Sequence, residues 1–106
     1  MNDILRSLEK TIVQRRSAEP DASYVASLTA KGRAKMAEKL GEEAVEAVIA
    51  AVQDDKAAMT GEAADLLFHL MVLLADMDLS LDDVTGELAR REGVSGLEEK
   101  AARGTS

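Results

Sequence analysis

The chain has 106 residues, with 13 basic and 20 acidic side chains and a net charge of −7 at pH 7. This length fits a single domain spanning residues 1–106. The acidic balance and an aromatic content of 2% argue against nucleic-acid binding by charge or base stacking. Because the chain lacks cysteine, signal-peptide and membrane-span patterns, we expect a soluble, cytoplasmic protein without disulfides or a membrane partner.

Apolar residues recur three and four positions apart from the start of the chain, and β-branched runs are absent, so we predict helices and no strands. The first helix is predicted over about residues 2–16, and a loop that contains Pro20 follows over residues 17–22. Ser23 is a typical N-cap, and glycine commonly follows a helix end. The second helix is therefore predicted to be short and to stop near Gly32.

A longer third helix is predicted over about residues 33–52. Its apolar side is predicted to carry Met36, Leu40, Val45, Val48, Ile49 and Val52. After a loop over residues 53–59, Thr60 is predicted to cap a fourth helix over residues 61–78. Apolar residues from 66 to 77 occupy nearly the whole circumference of that helix, which predicts burial on most sides.

The C-terminal part carries two capping-box patterns. Ser80 with Asp83 predicts a fifth helix that ends before Gly93, and Ser95 with Glu98 predicts a short final helix. Residues 104–106 are predicted to form a flexible tail. Helices joined by short loops indicate a mostly antiparallel all-α bundle.

The fourth predicted helix has one narrow polar stripe along an otherwise apolar surface. Its members are Glu62, Asp65, His69 and Asp76. Buried carboxylates cost several kcal/mol unless they are paired or bind a metal. One interpretation is a set of buried ion pairs with Lys35 and Lys39, with Asp76 near the helix end in solvent.

A second interpretation joins two acidic motifs on neighbouring helices. Glu43 and Glu46 form E-x-x-E, and Glu62 and Asp65 form E-x-x-D. On an antiparallel hairpin, four carboxylates would converge and repel one another unless cations neutralise them. Oxygen ligands without cysteine favour Mg²⁺, with Mn²⁺ as the alternative, over zinc. Such ions bridge phosphate oxygens and activate water, which points to phosphoanhydride hydrolysis.

Residues near these motifs have candidate supporting roles. Lys31, Lys35 and Lys39 are candidate phosphate-binding residues, whereas Arg33 in the same run is interpreted as a solvated side chain. Glu42 is the candidate general base, although one of the predicted metal ligands fits that role as well.

Two ring-bearing side chains are each open to two interpretations. His69 lies four residues after Asp65 and either donates a hydrogen bond to that carboxylate behind the metal or is a satisfied core histidine. Tyr24 either contacts a nucleotide base or ribose or, as we favour, packs with its hydroxyl at the surface.

Five sequence motifs are informative together. They are S-Y from Ser23, K-G-R-A-K from Lys31, K-L-G-E-E-A-V-E from Lys39, E-A-A-D-L-L-F-H from Glu62 and E-L-A-R-R-E-G-V-S-G-L-E-E-K-A from Glu87. Together these motifs resemble those of the phosphoribosyl-ATP pyrophosphohydrolases of histidine biosynthesis. The acidic motifs alone would indicate only the wider all-α nucleotide pyrophosphohydrolase superfamily, which includes MazG-type enzymes and dimeric dUTPases.

The resemblance implies Mg²⁺-dependent cleavage of phosphoribosyl-ATP, a nucleotide, to phosphoribosyl-AMP and pyrophosphate, by a homodimer whose helical bundle is completed by the second subunit. It also implies that the metal ligands are Glu43, Glu46, Glu62 and Asp65. Two other hypotheses stay open: hydrolysis of ordinary or damaged dNTPs at the same metal site, and a non-catalytic helical dimer.

Overall fold

The computed structural model describes residues 3–92, and this part of the chain is helical without strands. The five helices are α1 (Asp3–Arg15), α2 (Tyr24–Lys31), α3 (Arg33–Val52), α4 (Lys56–Asp76) and α5 (Leu81–Arg91). The all-α prediction is therefore confirmed, as are the bounds of α3. The predicted capping box at Ser95 and the tail at residues 104–106 lie outside the described residues.

Local capping explains three of these helix ends. The Ser23 Oγ accepts a hydrogen bond from the Ala26 amide at 3.3 Å and starts α2. Gly32 separates α2 from α3 at φ 96°, a left-handed backbone conformation that favours glycine. At the start of α5, the Ser80 amide donates to Asp83 Oδ2 at 2.8 Å, which completes the predicted capping box.

The predicted start of α4 was wrong. The helix begins at Lys56, and its N-cap is Asp55, whose Oδ1 accepts from the Ala58 amide at 3.0 Å. Thr60 lies inside the helix, where its hydroxyl donates to the Lys56 carbonyl at 3.0 Å. Asp54 takes a left-handed conformation at φ 55°, which lets a three-residue connection reverse the chain sooner than predicted.

Helices α3 and α4 form an antiparallel hairpin and share the most extensive interface between helices in the described chain. Helices α1 and α2 pack onto the end of the hairpin that lies away from its turn. The largest side chains buried there are Ile12, Leu28, Met36 and Val72. The main apolar core therefore occupies this end of the molecule, and the half of the hairpin near the turn has little cover.

Much of the predicted apolar side of α3 is exposed in the single chain. Val45, Val48 and Ile49 are 60%, 61% and 49% exposed, and the α3 residues that are buried are Met36, Ala47 and Ala50. In α4, His69, Met71, Val72 and Ala75 are buried, whereas Leu67 is 43% exposed, so the single chain covers this helix only in part. The radius of gyration is 15.9 Å, against about 13 Å for a compact 100-residue domain.

By length and composition, α4 is apolar enough to cross a membrane. Core helices of water-soluble proteins meet the same condition, and α4 carries Glu62 and Asp65 beside the acidic residues of α3. The absence of a membrane span stays a prediction.

Two charged residues differ from the sequence interpretation. Arg33 Nε donates to Asp76 Oδ2 at 2.7 Å, so Arg33 is not a purely solvated side chain. The Asp76 side chain is 18% exposed, so it does not lie free in solvent at the helix end. Sequence spacing did not show this pair because the two residues are 43 positions apart and meet only when the hairpin closes.

Candidate active site

Three carboxylates of α3 and α4 converge on the exposed half of the hairpin. One oxygen from each of Glu43, Glu62 and Asp65 lies within 4.8 Å of the other two. The residues of each i,i+3 pair lie on one face of their helix, and the antiparallel register sets these faces against each other. The structure thus brings together three of the four predicted metal ligands.

The fourth predicted ligand, Glu46, lies outside this group of three but interacts with Glu62. When all these side chains are ionised, Glu43 Oε2 and Glu62 Oε2 are buried without hydrogen-bond partners. A proton on Glu62 relieves this by allowing hydrogen bonds with Glu43 and Glu46. These hydrogen bonds, partial burial and the two neighbouring negative charges raise the pKa of Glu62 to about 7.

A divalent cation is the other way to satisfy these oxygens. Hard, oxygen-only donors from two helices suit Mg²⁺ or Mn²⁺, and the absence of a nearby sulfur or imidazole ligand in the group disfavours zinc. The unpartnered oxygens of Glu43 and Glu62 are the observation that makes these residues fit a metal ion.

The predicted phosphate-binding lysines lie on α2 and α3. Lys35 Nζ is 3.0 Å from Glu38 Oε2, and Lys39 Nζ is 3.3 Å from Glu42 Oε2. The hydrogen bond with Glu42 is the largest cause of a raised pKa at Lys39. In the described chain these lysines pair within α3, so the alternative in which they neutralise the carboxylates of α4 is wrong. Lys31 is exposed at the end of α2.

The candidate general base, Glu42, is adjacent in sequence to Glu43, and its side chain is 49% exposed. It makes its ion pair with Lys39 and is not part of the acidic group of three. Its assignment as the base stays a prediction.

An aromatic cluster lies one helical turn after Asp65. The ring centroid of Phe68 is 6.0 Å from that of Tyr24 and 5.2 Å from that of His69. His69 is 6% exposed, and its Nδ1 has no hydrogen-bond partner. The described residues show no hydrogen bond from His69 to Asp65, so the supporting role of His69 also stays a prediction.

Sequence reasoning did not connect Phe68 with the site. Its position three residues after Asp65 places it on the same face of α4, and that spacing was an available signal. The stacking of Tyr24 on Phe68 depends on how α2 packs against the hairpin, for which the sequence contains no local signal.

The all-α hairpin, with acidic pairs on two antiparallel helices, fits the class that the sequence motifs indicated, the all-α nucleotide pyrophosphohydrolases. Comparison with known proteins narrows the class. The family model described as phosphoribosyl-ATP pyrophosphohydrolase matches residues 5–92. The chain belongs to this family, as its sequence motifs indicated, and it is therefore an enzyme, a hydrolase.

Close relatives agree over nearly their whole length. A phosphoribosyl-ATP pyrophosphatase of Rhizorhabdus wittichii is 63% identical over 103 residues, covering 97% of each chain. That of Erythrobacter litoralis is 61% identical over 100 residues, covering 94% of this chain and 96% of the relative. That of Novosphingobium aromaticivorans is 58% identical over 101 residues, covering 95% of this chain and 94% of the relative.

Proposed function

We propose that this chain hydrolyses phosphoribosyl-ATP to phosphoribosyl-AMP and pyrophosphate in the cytoplasm, as the second step of histidine biosynthesis. Water attacks the α–β phosphoanhydride in a Mg²⁺-dependent reaction. The observation that carries the proposal is the convergence of Glu43, Glu62 and Asp65 within 4.8 Å. It occurs in a chain whose family and relatives are named for this substrate.

In this proposal Glu43, Glu46, Glu62 and Asp65 hold Mg²⁺, for which Mn²⁺ can substitute. The bound ion would neutralise charge on the phosphates and lower the pKa of a water molecule. The protein contributes two rigid helices that fix the carboxylates before substrate arrives. Glu62 must lose its proton to become a ligand, so metal binding and deprotonation of this side chain are coupled.

The basic residues supply the second part of the binding site. Lys31, Lys35 and Lys39 contact the substrate phosphates as donors and positive charges. Lys39 already holds the Glu42 carboxylate at 3.3 Å. When a phosphate group competes for Lys39, Glu42 is released to accept the proton of the attacking water. In this proposal Glu42 is therefore the general base, and its ion pair with Lys39 holds it until substrate binds.

One chain leaves the substrate-binding groove largely open, which leads us to propose a homodimer. A groove of about 210 Å³ lies beside Glu46 and Glu62 and is partly lined by Ile49. Pockets for ligands of drug size usually have volumes of about 300–1,000 Å³. Ile49 also belongs to the exposed apolar face of α3, so a second copy packed on that face would extend the groove.

The test is pyrophosphate release from phosphoribosyl-ATP by the purified protein with Mg²⁺ and then with excess EDTA, beside ATP and the four dNTPs. Rapid, EDTA-sensitive release confined to phosphoribosyl-ATP supports the proposal. Release only from dNTPs would replace it with a nucleotide-sanitising activity. No release from any substrate would contradict both and favour a non-catalytic helical dimer.

A further inference from the structure

The aromatic cluster includes a ring that is half exposed and yet firmly held. Tyr24 is 51% exposed, although it is the first residue of α2 and sits beside the buried residues Val25 and Ala26. Its ring is stacked on Phe68 with an angle of 20° between the ring planes. His69 packs edge-on against both rings, at centroid distances of 5.9 Å and 5.2 Å. The exposed ring therefore has a fixed orientation.

This ring lies next to the proposed metal centre. Phe68 and His69 follow Asp65 by three and four residues, which places both one helical turn away on the same face of α4. Tyr24 stacks on Phe68 at a centroid distance of 6.0 Å, so its ring lies beside this turn of α4. Tyr24 thus borders the site at the end away from the hairpin turn.

The position and chemistry of this ring fit one part of a nucleotide. A nucleotide whose phosphates lie at the carboxylates and at Lys39 extends its sugar and base beyond them. The purine ring carries no negative charge, so the acidic surface does not repel it, and every base offers a flat π-face to an aromatic side chain. An aromatic surface held by neighbouring rings loses little conformational freedom when the base binds.

We propose that Tyr24, supported by Phe68 and His69, is the stacking surface for the purine base of the substrate. This proposal rests on the proposed function. Tyr24 then distinguishes a nucleotide from a polyphosphate without a base. Because stacking tolerates different bases, this surface contributes affinity for purine nucleotides and leaves finer discrimination to other contacts.

The chain contains one tyrosine and no tryptophan, so its intrinsic fluorescence reports on Tyr24 alone. We expect α,β-methylene-ATP with Mg²⁺, which resists hydrolysis at the α–β bond, to quench this emission saturably. Inorganic triphosphate with Mg²⁺ has no base, so it should occupy the metal centre and leave most of the tyrosine emission unquenched. N-acetyltyrosinamide, titrated in parallel, corrects for absorption by the nucleotide. Equal effects of the two ligands on the protein, or no quenching by either, would overturn the proposal.

Kinetics with phosphoribosyl-ATP give a second test. Because Tyr24→Leu removes the stacking contact with the base, it should raise KM about tenfold while kcat changes little. Tyr24→Phe keeps the ring and should restore most of that affinity. Leu88→Ala, at an exposed position on α5, is the control with unchanged KM. A lower melting temperature for Tyr24→Leu with an unchanged KM would mean a packing role and overturn the proposal.

The two proposals fail in different ways. If the unmodified protein releases no pyrophosphate from phosphoribosyl-ATP, the proposed function fails, and the fluorescence titration still decides whether Tyr24 stacks on a purine. If the enzyme is active on phosphoribosyl-ATP but Tyr24→Leu and the titration show no base dependence, the stacking surface alone is wrong.

Discussion

Arg33 Nε lies 2.7 Å from Asp76 Oδ2, and this contact joins the first residue of α3 to the last residue of α4. Arg33 Nη2 also donates to the Asp76 carbonyl at 3.0 Å. Arg16, the residue that directly follows α1, donates from Nη1 to the Ala75 carbonyl at 3.0 Å, and its Nη2 lies 3.6 Å from Asp76 Oδ1. Asp76 therefore connects three helices at the end of the hairpin opposite its turn.

Asp76→Asn should lower the free energy of unfolding by about 1–3 kcal/mol, because it removes the charge that two arginines share at a largely buried position. Urea unfolding followed by circular dichroism measures this change. The matched control is Asp82→Asn, whose pair with Arg6 is 3.4 Å long and exposed on both sides. An exposed pair contributes about 0–1 kcal/mol. Equal effects of the two substitutions would show that the Asp76 contacts do not hold the helices together.

The acidic cluster predicts loss of activity without loss of fold. Glu43→Gln and Asp65→Asn should each lower kcat on phosphoribosyl-ATP by at least about 100-fold, because each removes an anionic metal ligand. Helicity should be unchanged, since both substitutions keep the side-chain size. Glu19→Gln, at an exposed loop position, is the control with normal activity. Near-normal turnover in both variants would refute the ligand assignment.

Metal binding should also appear in thermal stability. A ligand that binds only the folded protein raises its stability in proportion to the logarithm of ligand concentration. Titration with Mg²⁺ should therefore raise the melting temperature of the unmodified protein and leave that of Glu43→Gln nearly constant. Calorimetry or circular dichroism measures both. A melting temperature that is independent of Mg²⁺ in the unmodified protein would favour a non-catalytic dimer.

The shifted pKa of Glu62 predicts how stability depends on pH in EDTA. Its pKa rises from 4.5 to about 7 in the folded state, so between these values the folded protein holds a proton that the unfolded chain has lost. Stability therefore falls as the pH increases from about 4.5 to 7. Glu62→Gln should flatten this part of the melting-temperature profile. A profile that is equally steep in the variant would assign the effect to other groups.

Sequence reasoning succeeded where the signals were local. Ser23 caps α2 through a hydrogen bond within the first turn, and Gly32 ends it through its own backbone conformation. The ends of α2 and the start of α3 could therefore be predicted. The start of α4 could not, because Asp55 and Thr60 are both capable N-caps. The choice between them depends on how early the hairpin closes, and the left-handed conformation of Asp54 decides that.

The acidic cluster was predictable for a different reason. Once α3 and α4 are antiparallel, the two i,i+3 pairs can meet only in a narrow range of registers, and Glu43 and Asp65 do meet. The contact of Arg33 with Asp76 follows from the same register, but it also needs the exact length of the connection. The stacking of Tyr24 on Phe68 needs the packing of a third helix, which no spacing within the sequence determines.

Hydrophobic periodicity identified the apolar face of α3 without showing what covers it. Val45, Val48, Ile49 and Val52 repeat at helical spacing, and in the single chain they are between 49% and 83% exposed. Exposed apolar patches of this kind commonly mark interaction sites between proteins. A second copy of the chain offers the same face, which suits the self-complementary contact of a two-fold dimer.

Val48→Lys tests this dimer directly. The unmodified protein should have about twice the mass of the 11.3 kDa chain in light scattering, and the variant should approach the mass of one chain. A lysine at this position places a charge opposite its symmetry-related copy in the apolar contact, which disfavours association. Leu88→Lys is the matched control, because Leu88 is 59% exposed but lies on α5. If Leu88→Lys dissociates the protein and Val48→Lys does not, the dimer uses the α5 surface instead.

If the dimer does complete the substrate groove, Val48→Lys should also lose activity, and that activity should recover partly at high protein concentration.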